Sequence, residues 1–251
     1  MKAQGQPGEQ KQAAAWWLEG GRLVSGSPQD AFPFLGERGR VVSLVGGGGK
    51  TTLMYTLAEE LKGRGKVIIC TSTKIRQPEQ YLTLFDATAE EIAAALGEQD
   101  VLCTAGRADG DKLCAPQLSF EELARLADFV IVEADGAKRL PLKAHAPHEP
   151  VIPKSAQRTV LVVGIDGIGK TIAETCHRPA LYAGLAGAEE NTVVTPEIAA
   201  GVILAEGYGD RIYINKVENA ASYEAAQRLG ELFACPVVAG SLHMGVYTCL
   251  H

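Results

Sequence analysis

Apolar residues follow two rhythms along this chain, and the rhythms alternate. Short runs that are apolar at almost every position lie at 41–45, 67–70, 101–103, 129–132, 160–163, 212–214 and 237–238. Runs of that length without polar alternation fit strands covered on both faces. Between several of them the spacing changes to three and four. Residues 52–62 place Leu53, Met54, Leu57, Ala58 and Leu61 on one face of a 3.6-residue repeat, which predicts a helix. Thr88 with Glu91 and Ser119 with Glu122 are capping-box pairs that open two more. Thr195 ahead of Pro196 puts a cap residue before a first-turn proline, and 222–233 predict a last long helix. The alternation predicts an α/β fold in three layers, a mostly parallel sheet with helices on both faces.

Two stretches lack this rhythm. The chain opens with Gln, Gly and Lys and a short amphipathic piece at Trp16, Trp17 and Leu18. Residues 1–39 are therefore expected to form an N-terminal extension, partly disordered, ahead of one nucleotide-binding domain over 40–251. Residues 136–154 are rich in Pro, Lys and His with no period. An irregular loop of that length is more often functional than a linker.

Two segments compete as phosphate loops. Gly164, Gly169, Lys170 and Thr171 satisfy the pattern Gly, four residues, Gly-Lys-Thr to the letter. The segment ending at Lys50 and Thr51 does not, because Leu44 stands at the first glycine position. Context reverses that ranking. Gly46, Gly47, Gly48, Gly49, Lys50, Thr51 and Thr52 follow a strand and lead into about three turns of helix, whose N-terminus favours an anion. Four glycines allow backbone N–H groups to turn inward around phosphate oxygens. After Lys170, a helix must fit before Pro179 and has no sustained apolar face. The first segment is thus expected to hold a nucleoside triphosphate in a P-loop NTPase-like fold.

A phosphate loop needs a carboxylate at a later strand end to hold magnesium, directly or through water. The run at 129–132 leads into Glu133 and Asp135, which would share one face of an extended strand. Mg2+ is expected on Thr51 with Glu133 or Asp135. Lys50, Glu133 and Asp135 are the expected catalytic groups, one acid in the metal shell and the other orienting water or a switch loop. Asn215, Lys216 and Glu218 resemble the Asn-Lys-x-Asp element that reads guanine, with Glu for Asp. The longer side chain leaves GTP or ATP open. Thr73 and Lys74 end the second strand, where hydroxyls join the magnesium shell, sense the γ-phosphate or cap a helix. Lys143, His145, His148 and Glu149 in the irregular loop, with Arg178, form an expected switch or substrate loop. The prolines there argue against a helical zinc site.

Composition narrows the partners. The net charge is −6 with no long basic run, which argues against broad nucleic-acid binding. No stretch approaches the ~20 apolar residues that span a membrane. The N-terminus lacks the apolar core of a signal peptide. Six cysteines without a Cys-x-x-Cys pair fit reduced thiols, so a cytoplasmic protein is expected.

Taken in order, Gly46 to Thr52, Thr71 to Lys74, Val132 to Gly136, Leu142 with Lys143, His148 to Pro150, Val163 with Gly164, His177 to Pro179 and Ile214 to Lys216 resemble the YqeC family from about residue 40 onward. The resemblance implies an accessory or maturation factor for selenium-dependent molybdenum hydroxylases. Its partner would be such a hydroxylase or its cofactor carrier. The residues alone imply a magnesium-dependent nucleoside triphosphatase. A small-molecule kinase using the same loop, or a nucleotide-sensing protein without turnover, remains open.

Overall fold

The computed structural model describes residues 24–25, 40–108, 110 and 112–250. The expected extension over 1–39, with Trp16, Trp17 and Leu18, lies outside the described residues apart from Val24 and Ser25. In chain order the elements begin with β1 (Val24–Ser25), β2 (Arg40–Gly46), α1 (Lys50–Leu61), β3 (Val67–Thr71), β4 (Ile75–Arg76) and β5 (Leu82–Phe85). Next come α2 (Ala89–Glu98), β6 (Val101–Arg107), β7 (Lys112–Cys114), α3 (Phe120–Leu126), β8 (Phe129–Glu133) and β9 (Leu142–Lys143). The last third holds β10 (Ala156–Gly164), α4 (Ile172–Thr175), β11 (Cys176–His177), α5 (Pro179–Ala186), α6 (Pro196–Glu206), β12 (Arg211–Asn215), α7 (Ala220–Gly230), β13 (Val237–Ser241) and β14 (Val246–Cys249).

The main sheet runs β1-β14-β13-β12-β10-β2-β8-β3-β6-β7-β4, with β5 also on β6. From β13 through β6 every pairing is parallel, as is β5 on β6. Antiparallel partners close both margins. Alternate side chains enter opposite layers, as period two requires. Val42, Leu44, Ile69, Ile131, Val160 and Val162 pack with Leu53, Met54 and Leu57 of α1 on one face. On the other face Ile68, Cys70, Val130 and Val132 meet Ile92 of α2 and Leu123 of α3. Along that same face Val45, Leu161, Val163 and Ile214 meet Tyr182, Val202 and Leu229 of α5, α6 and α7. This is the expected three-layer α/β arrangement, a mostly parallel sheet with helices on both faces.

The expected capping boxes form at Thr88 and Ser119. The last helix starts earlier than expected, because Asn219 caps it through the Ser222 amide at 2.8 Å. Residues 136–154 depart most from expectation. β9 pairs with β11, and Leu142, Lys143, Ala144, His145 and Glu149 are buried. The stretch is irregular, yet much of it is interior.

Candidate functional site

β2 ends at Gly46, and α1 begins at Lys50 with no side-chain cap on its N-terminus. Gly46, Gly48 and Gly49 have φ of 96°, 80° and 133°, the region that favours glycine. A Cβ on Gly48 would run into the backbone of Gly164, so this turn leaves no room for a side chain.

The amides of this loop are not all turned inward as expected. Gly46 N–H donates to Asp135 Oδ2 at 2.9 Å, Gly47 N–H to Val162 O at 2.9 Å and Gly48 N–H to Leu140 O at 3.0 Å. Neighbouring backbone and a carboxylate have claimed three glycine donors. Leu53 N–H is already bonded to Gly49 O at 2.9 Å, so the first-turn amides of Lys50, Thr51 and Thr52 are the ones a helix leaves open to an anion.

The β8 strand lies beside β2, which carries its acids to this loop. Thr51 Oγ1 donates to Glu133 Oε2 at 2.7 Å. Lys50 Nζ donates to Gly46 O at 2.5 Å and stands 3.0 Å from Asp135 Oδ1 and 3.9 Å from Glu133 Oε1. The two acids differ in place. Glu133 lines an open cleft of about 940 Å³ with Gly48, Lys50 and Thr51, whereas Asp135 is fully buried behind the loop. Burial raises the Glu133 carboxyl above the usual range, with Lys50 and the Thr51 hydrogen bond opposing it. Burial would raise Asp135 too, but Lys50, the His145 hydrogen bond and Lys143 outweigh it and hold that carboxyl well below the usual range.

Asp135 joins the glycine loop to residues 136–154. Its Oδ2 meets Lys143 Nζ at 3.1 Å and His145 Nε2 at 2.6 Å. His145 Nδ1 meets Glu206 Oε2 at 2.8 Å, at the end of α6. Burial alone would lower the His145 pKa, but the Asp135 and Glu206 hydrogen bonds raise it above the usual value. Lys143 also binds Glu149, whose other oxygen takes Arg178. Burial lowers Lys143 to about 8 despite Asp135 beside it, and Lys50 and Arg178 add to the lowering. Glu149 is 8% exposed, while the His148 side chain is 79% exposed. The residues expected to form a switch loop thus separate into a buried ion network and one solvent-facing histidine. Glu206 was missed in the sequence because it lies 61 positions from His145 at a helix end, with no local signal.

Asn215 braces the loop. Its Nδ2 donates to Gly48 O at 2.8 Å, and its Oδ1 accepts from Leu242 N–H at 3.2 Å. Lys216, at a left-handed φ of 67°, pairs with Asp166 at 2.8 Å. Glu218 is exposed and accepts from Ser241 Oγ at 3.0 Å. Lys216 and Glu218 line the same cleft as the loop. Thr73 turns back on Thr71, its amide 3.0 Å from Thr71 Oγ1, and Lys74 stands exposed on the cleft wall. Among the described residues no group of three His, Cys, Asp or Glu has a metal-binding arrangement, and no helix is long and apolar enough to cross a membrane.

A protein of Escherichia coli (strain K12) named "Uncharacterized protein YqeC" is 32% identical over 159 residues, covering 60% of this chain and 62% of that protein. The chain therefore matches somewhat less than two thirds of that relative's length. The crystal structure of the hydrogenase maturation factor HypB from Archaeoglobus fulgidus aligns over 95% of this chain and 92% of that one, at 12% identity and a TM-score of 0.36. The family model described as YqeC protein matches residues 42–180, more than half of the sequence, and the chain belongs to the YqeC family.

Proposed function

We propose that this protein is a magnesium-dependent nucleoside triphosphatase that acts as an accessory or maturation factor for selenium-dependent molybdenum hydroxylases. The observation that carries the nucleotide reading is the juxtaposition of an uncapped helix N-terminus, Lys50, and the Thr51–Glu133 oxygen pair at 2.7 Å in one cleft. A hydroxyl and a carboxylate are hard oxygen donors. They fit Mg2+, which takes one or two protein oxygens and completes its shell with phosphate and water. Thr51 and Glu133 would hold the ion; when bound, it neutralises charge on the phosphate oxygens.

Lys50 places its ammonium against the β- and γ-phosphates. The Lys50, Thr51 and Thr52 amides receive phosphate oxygens at the helix start. Asp135 holds Lys50 and the Gly46 amide from behind the loop. Glu218 receives the base edge, guanine above adenine, while Asn215 sets the Gly48 carbonyl in place. Phosphate competes with Asp135 for Lys50, and Asp135 also holds Lys143 and His145. Nucleotide state is thereby linked to residues 136–154, which a client hydroxylase or its cofactor carrier would read. Lys74 lies on the γ-phosphate side, with Thr73 next to it in the chain; the exposed His148 faces the client, and Glu149 and Arg178 tie that segment to the buried ion network.

The accessory role rests on family membership. Magnesium-dependent phosphate release tests the chemistry. Wild-type protein should release phosphate, and Lys50→Ala and Glu133→Gln should release it at least roughly 100-fold more slowly. Release unchanged in both variants would overturn the site. Product analysis separates hydrolysis from transfer to a metabolite or no turnover. The accessory role predicts that a selenium-dependent molybdenum hydroxylase matured in cells carrying only Lys50→Ala lacks selenium; full selenium content there overturns it.

A further inference from the structure

The cleft extends well beyond the phosphate loop, away from the base elements. Asn215 ends β12 and Lys216 and Glu218 follow it; β12 is two strand steps from β2. On the other side the cleft is lined by Arg76 of β4 and Lys112 of β7, and β7 is four steps from β2. Four steps at about 4.8 Å span roughly 19 Å of sheet. A single triphosphate, with its phosphates at Lys50 and its base at Glu218, fills the loop and the β12 side. The β4–β7 side is left over.

That side is cationic. The whole cleft is lined by seven Lys or Arg against three Glu, in a chain whose net charge is −6. Lys50 and Lys216 are engaged, but Lys74, Arg76, Lys112, Lys138 and Arg139 are exposed and make no ion pair with any described residue. Solvated lysines and arginines are ordinary when scattered over a surface. Here they converge on one concavity, and two of them sit in a costly arrangement. Arg76 and Lys112 are direct cross-strand partners in the antiparallel β4–β7 pair. Opposed like charges destabilise such a pair, and an anion between them removes that cost. Arginine's planar fork suits phosphate and carboxylate.

We propose that this arm of the cleft binds a second ligand, a small molecule carrying two or more phosphate or carboxylate groups, beside the γ-phosphate of the bound nucleotide. The placement of the first ligand rests on the nucleotide reading above; the arm itself rests on the five cations. Arg76 and Lys112 form its far wall, and Lys74, Lys138 and Arg139 lie between that wall and the phosphate loop.

Inorganic pyrophosphate serves as the probe. It is titrated calorimetrically into protein saturated with magnesium and a non-hydrolysable triphosphate, so that the phosphate loop is filled. Uptake should be saturable with one equivalent. Arg76→Gln with Lys112→Gln should weaken it tenfold or more and leave nucleotide affinity within twofold. Both residues are exposed, and thermal melts verify the fold of the double variant. Absence of uptake by the nucleotide-filled protein overturns the arm, as does equal uptake by the double variant. If the wild-type protein takes no triphosphate at all, the nucleotide reading fails separately. The arm is then decided by pyrophosphate titrated into Lys50→Ala, with and without the double change: weaker uptake supports it and equal or absent uptake overturns it.

Discussion

The two glycine segments that end in Lys-Thr stand side by side in the fold, and only one has the features of a phosphate site. Their strands, β2 and β10, are parallel neighbours with Gly46 opposite Val162. After β2 comes a 12-residue helix with Leu53, Met54, Leu57, Ala58 and Leu61 buried. After β10 comes a three-residue 3-10 turn, then a four-residue helix capped by Thr171 and Glu174. Lys50 is 4% exposed against Asp135, while Lys170 is exposed. The strand beside β2 ends in Glu133, whereas β12, beside β10, ends in Asn215. In the proposed reading, a lysine and a threonine serve phosphate when a buried helix fixes their direction and an acid is delivered from the next strand. The second segment serves the first as a wall: Gly164 packs on Gly48, and Asp166 pairs with Lys216.

The comparison breaks most severely by removing the acid that only the first loop has. Asp135→Asn leaves Lys50, Lys143 and His145 without their shared buried counter-charge. A loss of about 3–5 kcal/mol of stability is expected, read by urea unfolding. Asp166→Asn, at the half-exposed pair beside the second segment, should cost no more than about 1 kcal/mol. Equal losses would mean that the two loops are braced alike.

Next in size is the lysine exchange. Lys50→Ala should weaken binding of a fluorescent nucleotide roughly 100-fold through lost charged hydrogen bonds, whereas Lys170→Ala should stay within about twofold. A comparable loss in both would erase the distinction. Glu133→Gln keeps the shape of the Thr51 partner and removes its charge. Turnover should fall roughly 100-fold with the melting temperature nearly kept, as measured by magnesium-dependent phosphate release.

A smaller effect concerns the base. GTP should outcompete ATP by at least about tenfold, and Glu218→Gln should narrow that ratio in competition titrations. A ratio unmoved by the change removes guanine reading and leaves the phosphate loop intact.

The smallest effect sharpens the difference in bracing through pH. The folded-state pKa of His145 lies above 6.5, so its imidazolium contributes fully below pH 6.5 and that contribution is lost as pH rises through the folded value. Between pH 6.5 and 8 the stability advantage of wild type over His145→Gln should shrink in urea unfolding. Burial holds Lys143 at about 8, below its ordinary 10.5, so stability gains a trend of opposite sign as pH rises through that value; both proteins carry Lys143, and the difference between them reports His145. An advantage that stays constant across that window would show His145 to be neutral between its two acids.

Much of the fold was legible because its signals are local. Strands apolar on both faces, a 3.6-residue repeat after the glycines, and cap residues three positions before Glu all report backbone states set by near neighbours. β5 and β14 escaped because short strands near a sheet margin owe their existence to distant partners. The same reason hid Glu206, and it hid the opposition of Arg76 and Lys112, which only the β4–β7 pairing creates. The glycine amides were misjudged because their acceptors, Val162, Leu140 and Asp135, come from other segments.

By itself the sequence determined the alternation of strand and helix, the loop at Lys50 and the acid strand that follows it, since hydrophobic period and helix length report locally which backbone can be buried. The tertiary structure decided which acid faces the cleft, which amides stay open, and that residues 136–154 close over buried charges. Those outcomes depend on which distant groups burial brings within a few ångströms, where desolvation makes every unpaired charge costly.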